Sequence, residues 1–295
     1  MGSIREVFKE LMYKRSLFIG VLIFLGVLLV LAGSTVKANA QSSIIRRLSQ
    51  QEIDQIGERI FENECALKEE NLLTWNLGED FMSLGIGHFI WYPAKGRKTF
   101  VGSFVKFLEY AKNSGEKIPR WLDKKPIPAC PWSSRDSFLS AKSDSRLTEL
   151  RGLLIKSKSL QAAFIIKRLE EALPLILKHV SEGSCEKITF QLDRLTSTFL
   201  GVFVLADYTN FKGLGITPSE YYRGKGWGLL QALEGMRDKN EAPDAVREFV
   251  RSANVVLKDR VKNSPPGRNE QKWLPGWQKR VNSYIKQEEK PCLQN

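Results

Sequence analysis

Three features of the 295-residue sequence predict an α+β fold, predominantly helical, with one small β-hairpin and a buried central helix. Several segments repeat apolar residues at the 3.6-residue period of amphipathic helices. Residues 81–92 combine aromatics with two closely spaced glycines, the composition of a short hairpin. Residues 192–206 are apolar nearly all round, as suits a helix enclosed by others. At 42% hydrophobic and 26% charged, the composition can fill a proper core.

Residues 1–40 read as a targeting segment. Arg5, Lys9, Lys14 and Arg15 form a basic start, an uncharged apolar run fills 17–32, and Ala38-Asn39-Ala40 gives a small-x-small cleavage pattern before Gln41. The segment is a cleaved signal peptide or, left uncleaved, a membrane anchor through 17–32. Both place residues 41–295, the folded domain, outside the cytoplasm: periplasmic, secreted, or anchored in the inner membrane. Four cysteines lie in this exported part, Cys65, Cys130, Cys185 and Cys292. An even count in an oxidising compartment predicts one or two disulfides, with three possible pairings.

Ser49-Gln50-Gln51-Glu52 reads as a capping box opening the first helix. At 100° per residue from Ile53, Ile60 falls at about 340°, Glu64 at about 20° and Leu67 at about 320°, with Glu62 opposite at about 180°. Glu64 therefore points with the isoleucines. A carboxyl there is expected to be desolvated, its pKa raised, and able to protonate a leaving-group oxygen. Residues 71–80 read as loop, 81–92 as the hairpin, 93–97 as a turn and 100–112 as a helix with Phe104, Phe107 and Leu108 inward. Residues 116–137 are irregular and Pro-rich; Trp121 and Trp132 line a substrate wall or pack as lids on a core. Residues 145–180 are helical in two pieces, with Pro174 bending or restarting the second.

The apolar helix 192–206 is interrupted by Thr196, Ser197 and Thr198, which argues against a membrane span. It leads to an expected exposed loop, 207–213, with Tyr208 and Asn210, then to a polar-aromatic stretch with Glu220, Tyr222 and Trp227. Such aromatics suit a sugar ring or ordinary packing equally. Pro243-Asp244 opens a helix through 262, and 274–286 reads as the last one.

The net charge is +12; without residues 1–40, 45 basic and 33 acidic residues become 40 and 31, a balance of +9. That suits an anionic polymer or plain solubility. With two histidines, His88 and His179, and no nucleophile elbow, most His-based machinery is excluded. There is no P-loop, no dinucleotide fingerprint and no metal-ligand spacing, so no cofactor, metal or nucleic acid is expected. Carboxylates carry whatever chemistry there is.

Glu64, the pair Glu79-Asp80 and Ser83-Leu84-Gly85-Ile86-Gly87-His88 resemble the catalytic Glu, the Asp and the T-I-G-I-G-H hairpin of phage-type lysozymes and endolysins. Asn210-Phe211-Lys212-Gly213 is similar to their F-N-x-G loop, and Leu274–Arg280 to the P-G-L-x-x-R-R near their end. The resemblance implies a lysozyme-like fold and cleavage of the β-1,4 glycan of peptidoglycan. It makes Glu64 the general acid, Asp80 or Glu79 the second carboxylate, and Ser83, in place of Thr, the hydroxyl that positions water. The spacing from Glu64 to Gly85 exceeds the family's by several residues. Glu79, His88, Tyr208, Asn210, Tyr222 and Trp227 are candidates for contacting substrate, and His88 equally for holding the hairpin. Against the catalytic reading, Glu64 could be a salt-bridged boundary residue, for instance with Arg280. Gly228-Leu229-Leu230-Gln231 is also similar to the G-L-M-Q of lytic transglycosylases, with Glu220 as the corresponding acid. The competing class is a non-catalytic envelope protein that binds wall glycan or another envelope protein.

Overall fold

The computed structural model describes residues 47–95, 102–237 and 244–286. The expected targeting segment, Cys292, Phe100 and Pro243 lie outside them. All the described residues belong to one compact unit, Ile45–Asn295, predominantly helical with small antiparallel sheets.

Helix α1 (Gln50–Cys65) starts on the expected box: Ser49 Oγ accepts from the Glu52 N–H at 3.2 Å, and the Glu52 carboxylate accepts from the Ser49 N–H at 2.7 Å. It buries Ile53, Ile56, Ile60 and Phe61. At Gly57 a Cβ would stand 3.3 Å from the Ala162 Cβ, which shows how closely α1 meets the helix beneath it. Ala66 and Leu67 both take positive φ (52° and 59°) and turn the chain away. The apolar stripe therefore stops at Cys65, and Leu67, expected to continue it, is exposed.

Strands β1 (Leu73–Thr74), β2 (Met82–Leu84) and β3 (Phe89–Trp91) form one antiparallel sheet, so the expected hairpin gains a third strand from the expected loop. Leu73 pairs with Leu84, Leu84 with Phe89 and Met82 with Trp91, and this face is buried. Thr74, Ser83 and Ile90 pair on the opposite face. Helix α2 (Phe104–Asn113) stacks Phe107 on Phe89 and Phe104 against Trp91. Trp121 and Trp132 pack around Trp91, Trp132 buried and Trp121 partly exposed. The short helix α3 (Arg135–Ser140) follows, capped by Ser134.

Helices α4 (Ser145–Lys156) and α5 (Lys158–His179) break at Ser157, and Pro174 sits inside α5 without restarting it. The predicted helix 192–206 is two helices, α6 (Glu182–Thr196) and α7 (Phe199–Lys212), bent by 117°. The corner has local causes. Thr198 Oγ1 caps α7 by accepting from the Gly201 N–H, and any side chain at Gly201 would strike the Leu195 carbonyl at 2.0 Å. Among the described residues no single helix is long and apolar enough to cross a membrane. Helix α7 is the buried central helix, and it runs on through Lys212 to Gly213 (φ 81°), so 207–212 is helix rather than exposed loop.

A second hairpin, absent from the sequence expectation, pairs β4 (Tyr221–Tyr222) with β5 (Lys225–Gly226). Its two-residue turn, Arg223-Gly224, has positive φ at both positions, the geometry that matches strand twist. Helices α8 (Leu229–Glu234), α9 (Ala245–Asn263, capped by Asp244) and α10 (Leu274–Lys286) complete the chain, with α9 and α10 packed together against α7.

Candidate active site around Glu64

Glu64 stands one residue before the end of α1, its side chain 10% exposed. Three side chains from distant parts of the chain reach it. Arg280 Nη2 on α10 donates to Oε1 at 2.6 Å, and Asn210 Nδ2 on α7 donates to the same oxygen at 3.1 Å. His88 Nδ1, from the turn between β2 and β3, lies 3.3 Å from Oε2. The apolar isolation expected for this carboxyl is therefore corrected: its neighbours are a guanidinium, an amide and an imidazole. The alternative noted from sequence, an ion pair with Arg280, is present. It forms because α1 ends where α10 crosses α7, a juxtaposition that helical periodicity cannot reveal.

Arg280 is shared. Its Nε donates to Asp207 Oδ2 at 2.9 Å and its Nη2 to Oδ1 at 2.8 Å. Asp207 is fully buried and also accepts from Tyr284 Oη at 2.5 Å and Asn63 Nδ2 at 3.2 Å. Burial opposes the charge on Arg280, but Asp207 and Glu64 outweigh it and hold the guanidinium pKa well above its ordinary value. Burial and the neighbouring Asp207 likewise raise Tyr284. One guanidinium thus serves two carboxylates, of which only Glu64 reaches the surface.

The His88 turn owes its shape to two glycines and a buried amide. Gly85 takes φ 69°, and a Cβ there would lie 2.1 Å from Gln161 Oε1. That oxygen accepts the Ile86 N–H at 2.9 Å, while Gln161 Nε2 donates to the Leu154 carbonyl at 2.7 Å. At Gly87 a Cβ would meet the Phe89 ring at 2.4 Å. His88 itself has φ 44°, an uncommon conformation that turns its ring toward Glu64. Gln161 and Asp207 are the site residues that sequence reading missed. Gln161 lies in an ordinary apolar helix, and Asp207 was assigned to a loop.

The other candidates lie elsewhere. Asp80 is exposed ahead of β2, with no hydrogen bond or ion pair to the cluster. Glu79 accepts from Asn76 Nδ2 at 3.1 Å in its own turn. Ser83 is buried on the Thr74–Ile90 face of the sheet. Tyr208 and Trp227, expected to offer ring faces, are buried; Tyr208 Oη donates to the Trp227 carbonyl at 3.0 Å. Tyr222 is half-buried and donates to Glu270 at 2.9 Å. Glu220 is occupied locally, accepting from the Ile216 and Thr217 N–H groups, each at 3.0 Å, and Gln231 caps its own helix at the Gly228 N–H. The expected transglycosylase-type acid is thus a turn residue.

Cys65, Cys130 and Cys185 are free thiols. Burial, with Glu64 beside it, pushes Cys65 up to about 12, and burial does the same to Cys130. Both are held as unreactive thiols in this fold. No family model, curated protein or solved structure matches the chain.

Proposed function

We propose that the protein is an exported glycosidase that acts on the glycan of peptidoglycan, with a lysozyme-like fold over residues 41–295 and Glu64 as general acid. One observation carries this reading. The three short stretches that separately resemble the phage-type lysozyme signature each deliver a side chain to the same carboxylate: His88 from the G-I-G-H turn, Asn210 from N-F-K-G, and Arg280 from the P-G-W-Q-K-R segment. Positions 146 and 216 residues away from Glu64 have no local reason to meet there.

The chemistry follows from the charge count. Asp207 is fully hydrogen-bonded and enclosed, so it balances Arg280 and stays out of the reaction. In this proposal Glu64 is the group that donates the proton, with its Oε2 facing His88. From there it passes to the glycosidic oxygen as the bond breaks, leaving a carboxylate that Arg280 and Asn210 stabilise. The lysozyme resemblance assigns the second carboxylate to Asp80, or to Glu79 beside it, and the water-positioning hydroxyl to Ser83. Because Asp80 makes no contact with the cluster, a second reading is also supported: the same surface grips wall glycan without cutting it.

Release of soluble fragments from purified wall distinguishes the two. Glu64→Gln should lower it by roughly 10²–10⁴-fold, the usual share of general acid catalysis, while glycan retention survives. Glu62→Gln, exposed on the opposite face, should change neither. Retention without release by the wild type would establish the binding reading.

A further inference from the structure

A shallow, largely open pocket lies beside α10, lined by Arg260, Arg268, Glu270, Trp273 and Trp277, with a volume of about 490 Å³. It falls within the range of small-molecule sites. We infer that it binds a saccharide carrying a carboxylate, with Trp273 as the platform for the sugar ring and Arg268 as the partner of the acid group.

The floor of the pocket is already satisfied and rigid. Arg260 donates from Nε and Nη2 to the two oxygens of Glu270 at 2.8 and 2.9 Å, and Tyr222 Oη donates to Oε1 at 2.9 Å. The guanidinium of Arg260 also lies 4.1 Å from the Trp227 ring and 4.8 Å from that of Trp277. Glu270 is buried, so the pocket's one carboxylate is fully engaged and the charge of Arg260 is balanced. What remains for a ligand is donors and an aromatic face. Arg268 is exposed, has no hydrogen-bond or ion-pair partner among the described residues, and is placed by the Tyr222 ring at 5.6 Å. Trp273 is 55% exposed, so part of its ring surface is open to a ligand at the rim. Asn269, at φ 47°, makes the turn that brings Arg268 and Trp273 to the same rim.

An apolar face next to one uncommitted guanidinium selects a ligand with a ring and a single acid group. A nucleic-acid strand would ask instead for several phosphate-spaced cations, whereas of the two arginines lining the pocket Arg260 is already paired with Glu270. The pocket is also continuous with the Glu64 cluster through alternating basic side chains and rings. Arg280 lies 4.3 Å from the Phe211 ring, and Lys212 Nζ lies 3.9 Å from Phe211 and 3.4 Å from Trp277. The choice of a sugar acid rests on the proposed peptidoglycan reading, but binding here needs no cleavage at Glu64, so the two can fail separately.

The test titrates the full chain with N-acetylmuramic acid, its methyl ester and N-acetylglucosamine, reading tryptophan fluorescence. These monosaccharides contain no bond for Glu64 to cut. The acid should bind about tenfold tighter than the ester, the usual gain for a charge-assisted hydrogen bond. Arg268→Gln, at an exposed position that leaves the fold intact, should erase that ratio, and Trp273→Ala should weaken all three sugars. Equal affinity for acid and ester, indifference to Arg268→Gln, or tighter binding of a single-stranded oligonucleotide would overturn the inference.

Discussion

Replacing Lys212 with Met should stabilise the protein, by an amount that depends on pH in a calculable way. Lys212 lies at the end of α7, buried between the Phe211 and Trp277 rings. Burial first, then Arg260 on α9 and Arg280 on α10, lower its pKa from 10.5 to about 6, against weaker opposing pulls from Glu270 and Glu64. Between those two values the unfolded chain holds a proton that the folded chain lacks, so stability rises with pH across the window and the cost is largest below it. At 1.36 kcal/mol per pH unit the cost is about 3 kcal/mol at pH 8 and falls below 1 kcal/mol at pH 10. Attraction of the ammonium to the two rings opposes the shift and reduces the cost. Met keeps length and apolar bulk and carries no proton. Urea unfolding of both chains at pH 8 and pH 10 should therefore show a Met advantage that shrinks by roughly 2–3 kcal/mol between the two. The surrounding arginines, carboxylates and tyrosines are common to both chains and cancel in the difference. Identical pH slopes would refute the burial of a neutral Lys212.

Three further outcomes follow from the same cluster. Arg280→Met strands two carboxylates, one fully enclosed, and should cost about 3–5 kcal/mol at neutral pH in denaturant unfolding. Gly85→Ala forces a Cβ into a left-handed turn and against Gln161, so a loss of about 1–3 kcal/mol and reduced wall cleavage are expected from thermal unfolding and fragment release. Asp80→Asn should reduce cleavage without affecting stability, since Asp80 is exposed and unbonded to the cluster; unchanged cleavage would pass the second-carboxylate role to Glu79.

Local chemistry was legible in the sequence. The Ser49 box, the period from Ile53 to Ile60, the hairpin glycines and the final helix rest on interactions within a few residues, so their patterns reveal them. The Thr198 cap and Gly201 that break α6 from α7 were written in the same way, but a continuous apolar run concealed them. The surroundings of Glu64 were not legible. Periodicity gives the direction of a side chain, inward, and not the identity of what waits there. Only packing decided that Arg280, Asn210 and His88 would meet it, and that Asp207 would continue a buried helix because a guanidinium from α10 neutralises it. Burial of Tyr208 and Trp227, and exposure of Trp273, were decided in the same way. Whether an aromatic faces solvent depends on which helix lies over it, and that is fixed by the whole chain rather than by its neighbours in sequence.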